Sequence, residues 1–197
     1  MIGAAEACKA GGSLLRNELP PAFVEWLRSG PPRVLLPGGG AAADVVRGWQ
    51  AAHGMTAAAA HWLAIRALGL SAAAWAALLD IPVAASFGAC LAALSRGDRL
   101  VAFDPGPELV ADPAALPVSW DATSDSIAAW ATGRLGFRRL TVCKAVGPPA
   151  SLAAAVAAGW LDPLFPALAA GLEVHWLNAL AAPPARTIAV LQQERAV

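Results

Sequence analysis

The sequence from residue 120 to residue 130 reads Trp120-Asp121-Ala122-Thr123-Ser124-Asp125-Ser126-Ile127-Ala128-Ala129-Trp130. It places two carboxylates and three hydroxyls in front of an apolar run with helical spacing. Thr123 or Ser124 can cap this helix, because a side-chain oxygen there accepts a hydrogen bond from a free N–H of the first turn. Asp125 then lies where the positive end of the helix dipole favours an anion. A capped helix explains the pattern by itself, and a polar binding site explains it as well.

Two glycine-rich turns upstream favour the binding site. Residues 4–9 are predicted to form a weak strand, and Lys9-Ala10-Gly11-Gly12-Ser13 follows at its end. Paired glycines after a strand let the backbone approach a ligand and present N–H groups to an anion. Lys9 can neutralise phosphate charge at the same place. An ordinary Gly-Gly turn with an exposed lysine remains the alternative.

The second turn is Pro37-Gly38-Gly39-Gly40, which lies between a predicted strand at 33–36 and a predicted helix at 41–52. The strand is a compact apolar run typical of a buried parallel strand. Three glycines at a helix N-terminus can form a cradle for an anion. The turn is neither a Walker A loop nor a GxGxxG motif, and a tight turn without a ligand is the alternative.

Asp44, Arg47 and Lys144 are further candidates for the same cleft. Asp44 and Arg47 are three residues apart on the predicted helix and so share one face, either as a solvated pair or facing the glycines. Lys144 follows a predicted strand at 139–143, and ligands of open parallel sheets collect at the carboxyl ends of the strands. His61 lies on an apolar stripe, where a hydrogen-bonded core histidine is more usual than a catalytic one; its role is left open.

Strands and helices alternate along the chain, which predicts a three-layer αβα sandwich with a mostly parallel central sheet. The 197 residues suit one domain, spanning 1–197. Strands are predicted at 4–9, 33–36, 83–86, 99–103, 139–143, 172–176 and 187–191. Helices are predicted at 20–29, 41–52, 57–68, 71–79, 88–95, 124–135, 151–158 and 162–170, with 104–107 as a loop.

Composition excludes several classes of function. The formal net charge is zero and there is no basic stripe, so nucleic acid is not expected as a partner. No Cys or His pair has the spacing of a metal site. Three scattered cysteines argue against a disulfide framework and for a reducing cytoplasm. Residues 145–161 form the longest uncharged stretch, but glycines and prolines interrupt it, so no membrane span is expected; nor do the first residues have the features of a signal peptide.

Taken together, these motifs resemble the amino acid kinase superfamily. The closest likeness is to the branch that contains the [5-(aminomethyl)furan-3-yl]methyl phosphate kinase of methanofuran biosynthesis. Four segments carry it: 9–14, 37–47 with its Gly-Gly-Gly-x-x-x-Asp-x-x-Arg pattern, 61–64 and 119–129. The last of these, Ser-Trp-Asp-x-Thr-Ser-Asp-Ser-Ile-Ala-Ala, is the most specific to the branch.

The resemblance implies ATP-dependent transfer of a phosphoryl group to a small acceptor, with Mg²⁺ as a second cofactor. Lys9 would stabilise the transferring phosphoryl group and Asp125 would orient the lysine or the metal. The remaining implied roles are phosphate or nucleotide binding by Gly11, Gly12, Ser13 and Lys144, and acceptor binding by Gly38, Gly39, Gly40, Asp44, Arg47, Trp120, Asp121 and Thr123. An acceptor phosphate would suit Arg47, and an acceptor aminomethyl group would suit Asp44 or Asp121.

The chain departs from the superfamily pattern in its second half. Residues 145–149 lack the usual Asp-Gly turn, and 151–158 lack a second lysine. The chain is also short for the superfamily, so the nucleotide-binding half is predicted to be trimmed. The alternatives are therefore a non-catalytic subunit that binds phosphate esters or assists assembly, and a structural partner protein that uses some of its eight tryptophans. A homo-oligomer formed through a helical face is expected in each case.

Overall fold

The computed structural model describes residues 5–16, 18–181 and the backbone of 189–191. Its strands are β1 (Glu6–Ala10), β2 (Arg33–Pro37), β3 (Val83–Ala84), β4 (Leu100–Phe103), β5 (Arg139–Lys144), β6 (Glu173–Asn178) and β7 (Ala189–Leu191). They form one sheet in the order β3-β4-β2-β1-β5-β6-β7. The first six are parallel, and β7 pairs antiparallel with β6.

The helices are α1 (Pro21–Arg28), α2 (Gly40–His53), α3 (Ala57–Leu79), α4 (Phe87–Ser95), α5 (Gly106–Ala111), α6 (Ser124–Arg134), α7 (Leu152–Ala157) and α8 (Phe165–Leu168). A short 3₁₀ turn, Gly12–Arg16, follows β1. These elements confirm the predicted three-layer α/β architecture. Residues 4 and 187–188 of two predicted strands lie outside the described residues.

The apolar side chains of the strands pack on both faces of the sheet, as the two-residue period of a strand requires. On one face, Cys8 and Leu35 pack with Phe23 of α1 and Trp75 of α3. On the other, the strands pack with α4, α6 and α7, and the fully buried Trp176 belongs to this layer. Helices therefore cover both faces, and the carboxyl ends of the parallel strands are left as the edge where loops meet.

The structure corrects the predictions for residues 57–79 and 104–107. Residues 57–79 form one helix, α3, where two helices separated near Gly69 were predicted. A Cβ atom at Gly69 would lie 2.7 Å from Oδ2 of Asp104, so this glycine allows close packing and does not end the helix. The predicted loop at 104–107 instead leads into α5, whose first amide, that of Gly106, donates to Asp104 Oδ1 at 2.9 Å.

Helix α3 is long and apolar enough by length and composition to cross a membrane. In the fold it packs against the sheet, with Ile65 and Trp75 buried, and 44% of its apolar window is buried. A core helix passes the same test, so no membrane span is indicated.

A buried ion pair lies at the amino end of the sheet, far along the strands from the glycine turns. Glu6 occupies a strand position where an apolar residue is usual, and Arg33 Nε lies 2.6 Å from its Oε1. Arg33 also donates to the carbonyl oxygen of Trp26 at 2.6 Å and lies over the indole ring of Trp26. This pair satisfies its own charges and the C-terminal carbonyls of α1, so it has a structural explanation.

Candidate functional site

Three charged side chains meet at the carboxyl end of the sheet. Lys9 lies near the end of β1 and Lys144 ends β5, and these two strands are adjacent and parallel. Asp125 lies in the first turn of α6. Lys9 Nζ is 2.6 Å from Asp125 Oδ1, and Lys144 Nζ is 2.9 Å from both carboxylate oxygens. Residues far apart in the sequence therefore form one cluster, which we call the lysine–aspartate cluster.

The cluster is largely removed from solvent. Lys9 is 2% exposed and Asp125 is 6% exposed. Burial alone would raise the pKa of Asp125, but Lys9 and Lys144 lower it below its ordinary value. Burial, reinforced by the charge of Lys9, lowers the pKa of Lys144 to about 8 against the attraction of Asp125. With both lysines protonated the cluster has an excess positive charge, which suits an anion.

These two residues are the only lysines of the chain. Lysine and arginine together number 14, and every other member of this set is an arginine. A lysine ammonium group is a compact point charge, whereas a guanidinium group is a broad planar fork. The occurrence of both lysines on one buried carboxylate therefore marks the cluster as chemically distinct from the basic residues elsewhere in the chain.

Both glycine turns border the cluster. A Cβ atom on Gly12 would lie 2.2 Å from the backbone nitrogen of Gly40, and one on Gly38 would lie 2.4 Å from that of Gly12. Gly40 also has a φ of +53°, a conformation that favours glycine. The two turns touch backbone to backbone, which only glycines allow at this separation.

A cavity of about 280 Å³ opens beside the cluster. It brings together most of the predicted site residues: Lys9, Gly12, Ser13, Gly39, Gly40, Asp44, Arg47, Trp120, Thr123, Asp125 and Lys144. The glycine turns, the α6 stretch and the lysines thus line one pocket. This arrangement was the central structural expectation from the sequence.

Three predicted residues are placed differently. The N–H of Gly11 donates to the carbonyl oxygen of Cys143 at 2.9 Å, and that of Gly38 donates to the carbonyl oxygen of Ala10 at 2.8 Å. Both amides hold the turns in place, so the prediction that Gly11 offers its N–H to phosphate is corrected. Asp121 is exposed and bonds with Ser119 Oγ at 3.2 Å; it is not among the residues that line the cavity.

The mouth of the cavity carries an exposed charge network. Asp44 forms an ion pair with Arg16 and another with Arg47, the latter at 3.3 Å. The guanidinium group of Arg47 lies 4.3 Å from the centre of the Trp120 ring. The Trp120 indole N–H donates to Gln50 Oε1 at 2.7 Å. Asp44 and Arg47 therefore form a half-exposed ion pair, one of the two readings that the sequence left open, and both also line the cavity.

Several lining residues were missed by sequence reasoning. Arg16 reaches the mouth because the 3₁₀ turn after Gly12 turns it toward α2, and a pattern search has no signal for so short a turn. His61 lines the cavity and its Nδ1 lies 3.1 Å from the carbonyl oxygen of Ser119. It is thus both a hydrogen-bonded core histidine and a cavity residue, and the sequence had left its role open. Besides Arg16, the lining residues that the sequence did not indicate are Ala43, Ala64, Ile65, Leu68, Ala122, Ser124 and Ile127.

The N-terminus of α6 is capped by a residue from another part of the chain. The prediction that Thr123 or Ser124 accepts an N–H of the first turn is wrong. Thr123 occupies the N-cap position without a side-chain capping hydrogen bond. The carboxylate of Asp162 accepts the N–H groups of Thr123 at 3.1 Å and Ser126 at 3.0 Å. The predicted helix 162–170 shortens to α8, and Asp162 precedes it.

Comparisons with known proteins identify the fold. No protein-family model matches the chain, and no curated protein matches it in sequence. Among solved structures, the UMP kinase from Ureaplasma parvum superposes with a TM-score of 0.69 over 96% of this chain and 99% of that chain, at 13% identity. The chain has the UMP kinase fold. The uridylate kinase from Archaeoglobus fulgidus also matches, with a TM-score of 0.53 at 17% identity over 75% of this chain and 67% of that one.

These neighbours confirm the predicted amino acid kinase-like architecture, since UMP kinases belong to that superfamily. At such low identity the likeness is one of fold. Within the UMP kinase fold, this chain supplies the lysine–aspartate cluster and the glycine-lined cavity from its own residues.

Proposed function

We propose that this protein is an ATP-dependent kinase that phosphorylates a small molecule. One observation carries the proposal: the only two lysines of the chain converge on one buried carboxylate inside a glycine-lined cavity. Phosphoryl transfer requires little beyond positioning and stabilisation of negative charge, and such a cluster supplies both. The fold shared with structures described as UMP kinases supports the same reaction class.

In this proposal, Lys9 and the N–H of Gly12 stabilise the transferring phosphoryl group. Asp125 keeps both ammonium groups charged and directed toward the cavity, and Lys144 approaches the nucleotide phosphates. Ser13, Gly39 and Gly40 border the path between donor and acceptor. ATP would supply the phosphoryl group and Mg²⁺ would offset the charge of its phosphates.

The residues present suit a magnesium ion carried by phosphates better than one held by the protein. Among the described residues, no three His, Cys, Asp or Glu side chains are grouped to hold a metal ion. Both oxygens of Asp125 already accept hydrogen bonds from Lys144. Mg²⁺ commonly keeps its waters and binds through substrate phosphates, so it would arrive with the nucleotide.

The acceptor in our proposal is a phosphate monoester, such as an aminomethylfuran phosphate of methanofuran-type coenzyme biosynthesis. The cavity is lined by four cationic side chains, Lys9, Lys144, Arg16 and Arg47, against two carboxylates, Asp44 and Asp125. This excess suits a dianion, and guanidinium groups bind phosphate through two parallel hydrogen bonds. Asp44 would receive an amine on the same molecule.

A second candidate is a non-catalytic subunit that binds phosphate esters. The size of the cavity favours it, because about 280 Å³ is at the lower limit of small-molecule pockets and suits one compact ligand. In both cases we propose a cytoplasmic homo-oligomer with a nucleotide-binding half that is reduced.

Calorimetry and turnover assays separate the two candidates. A kinase binds a non-hydrolysable ATP analogue with Mg²⁺ and consumes ATP with at least one member of a phosphate-ester panel. The variant Lys9→Met should abolish turnover with the fold retained, while Arg96→Gln, which removes an exposed charge paired with Asp98, should not. Binding of phosphate esters without nucleotide binding would favour the second candidate, and binding of neither would end both.

A further inference from the structure

A further buried carboxylate, that of Asp162, lies against α6 and does not line the cavity. Asp162 precedes α8 and is 6% exposed. It is 36 residues from Ser126 along the chain, and the segment that carries it begins after Lys144 at the end of β5. Burial of a carboxylate is unfavourable unless its oxygens are well bonded, so its partners are informative.

The Asp162 carboxylate accepts from five donors, and four of them belong to Ser126 in α6 or to Thr123, the N-cap residue of that helix. Oδ2 accepts from the N–H of Thr123 at 3.1 Å, from Thr123 Oγ1 at 2.8 Å and from the N–H of Ser126 at 3.0 Å. Oδ1 accepts from Ser126 Oγ and from the N–H of Phe165 at 3.0 Å. Five donors therefore bond the two oxygens of this carboxylate, and neither oxygen is left unpaired.

The residues that Asp162 holds lie on both sides of Asp125 in the sequence. Thr123 precedes Asp125 by two positions and Ser126 follows it directly. Asp125 itself is held from the opposite direction by Lys9 and Lys144 at the sheet edge. The first turn of α6 is therefore held by the Asp162 carboxylate on one side and by Lys9 and Lys144 on the other.

Local capping would have been sufficient for the helix alone. Thr123 occupies the N-cap position, where its hydroxyl could accept an amide of the first turn. Its hydroxyl instead donates to Asp162, as does that of Ser126. The hydroxyls of Thr123 and Ser126 therefore attach the start of α6 to Asp162, and this fixes the position of the first turn of the helix.

We propose that Asp162 is a positioning residue for the reaction, which holds Asp125 in register with Lys9 and Lys144. The inference rests on the proposed kinase function for its catalytic consequence, but its structural part can be tested without turnover. A displacement of the reacting groups by about 1 Å lowers the rate on the order of a hundredfold. Loss of the hydrogen bonds to Asp162 should therefore lower kcat more than it weakens binding.

The first test compares Asp162→Asn with Asp112→Asn. Asp112, which follows α5, is half exposed and pairs at 3.7 Å with Arg134 at the other end of α6, so it is a matched control that contacts the same helix. Asparagine retains one acceptor oxygen but turns an NH₂ group toward donors. We expect kcat to fall about a hundredfold in Asp162→Asn with a smaller change in KM for ATP, and no change in Asp112→Asn.

The second test needs no substrate. In protein labelled with ¹³C-lysine, only Lys9 and Lys144 contribute side-chain Cε signals, because the chain has no other lysine. Titration of these signals reports how firmly Asp125 supports each ammonium group. In Asp162→Asn the titration midpoint of Lys144 should fall, since Asp125 is held less closely, and Asp112→Asn should leave it unchanged.

The outcomes separate the two claims. If wild-type protein shows no turnover, the proposed function fails, and the lysine titration still decides the role of Asp162. If Asp162→Asn lowers the melting temperature but leaves both kcat and the lysine titration as in wild type, Asp162 is structural only and the inference is overturned. Should Asp162→Asn not fold, Ser126→Ala removes one donor with the carboxylate intact, and a smaller shift of the Lys144 midpoint in the same direction is then the deciding result.

Discussion

A buried ammonium group requires a carboxylate nearby, and here two lysines depend on the same one. The side chain of Lys9 is 3% exposed and that of Lys144 is 15% exposed, so water solvates Lys9 hardly at all and Lys144 only in part. Asp125 is therefore the residue on which both charges depend. With both lysines protonated, the side chains of Lys9, Lys144 and Asp125 together carry one excess positive charge.

The variant Asp125→Asn should lose this support. With a neutral amide in place of the carboxylate, two buried ammonium groups face each other without compensation. We expect the free energy of unfolding to fall by about 3–5 kcal/mol, measured by urea denaturation at pH 7. Asp121→Asn, an exposed neighbour, should stay within about 0.5 kcal/mol of wild type; equal stabilities of the two variants would show that the cluster is not desolvated.

Anion binding should depend on pH through Lys144. Its pKa is lowered to about 8, chiefly by burial and then by Lys9, so it is charged below pH 8 and loses its proton as the pH rises through 8. The affinity for pyrophosphate should be full near pH 7 and fall by up to about tenfold per unit above pH 8. Calorimetry at pH 7 and pH 9 in buffers of different ionisation enthalpy measures both the affinity and the proton uptake. A flat profile would contradict the charge state assigned to Lys144.

At the scale of elements, the site depends on the contact between the two glycine turns. One turn ends β1 and the other joins β2 to α2, and their strands are neighbours in the sheet. Gly12 and Gly40 touch through backbone atoms, so the space between the elements is defined without side chains. A methyl group at this contact has no room.

Gly12→Ala should therefore destabilise the protein. The added Cβ would lie 2.2 Å from Gly40 N, a backbone atom that cannot rotate away, and overpacking of this kind costs about 1–3 kcal/mol. Gly48→Ala is the matched control, because Gly48 lies inside α2 with nothing within 4 Å of the added atom. It should stabilise by about 0.4–1 kcal/mol. Thermal unfolding of both variants tests the contact, and a neutral Gly12→Ala would refute it.

Element boundaries show where sequence patterns were sufficient. The strand at 33–37 and helix α2 follow from an apolar run, glycines and helical spacing, and both were predicted within one residue at each end. The sequence pattern predicts two helices in place of α3, because a glycine such as Gly69 is compatible both with a turn and with a closely packed helix. Its neighbour Asp104 lies 35 positions away along the chain, so no local pattern contains the reason.

At the scale of the whole molecule, helices cover both faces of the sheet, and α3 leaves part of its surface uncovered. Leu70 is 65% exposed and Leu78 is 61% exposed, eight residues apart on this helix. Large apolar side chains in such positions are costly to hydrate. They are the natural place for the helical interface of the homo-oligomer that we propose.

The double variant Leu70→Lys/Leu78→Lys should dissociate that oligomer. Charged residues at the centre of an apolar interface are strongly unfavourable, whereas on a free surface they cost little. Analytical ultracentrifugation of wild type and variant at matched concentration measures the mass. Arg66→Lys on the same helix keeps the charge and serves as control. A monomeric wild type would exclude the oligomer, and an unchanged mass in the variant would place the interface elsewhere.

The layered α/β architecture follows from the amino-acid sequence alone, because alternating apolar runs and helical spacing are local properties of the chain. The sequence also predicts that Lys9 and Lys144 lie at the same edge of the sheet, because the carboxyl ends of parallel strands share that edge. Packing in three dimensions determines that the amides of Gly11 and Gly38 bond within the chain, that Arg16 reaches the mouth of the cavity, and that Asp162 holds α6. Those outcomes depend on contacts between residues tens of positions apart, where distance in space is set by packing and is not encoded in any local spacing.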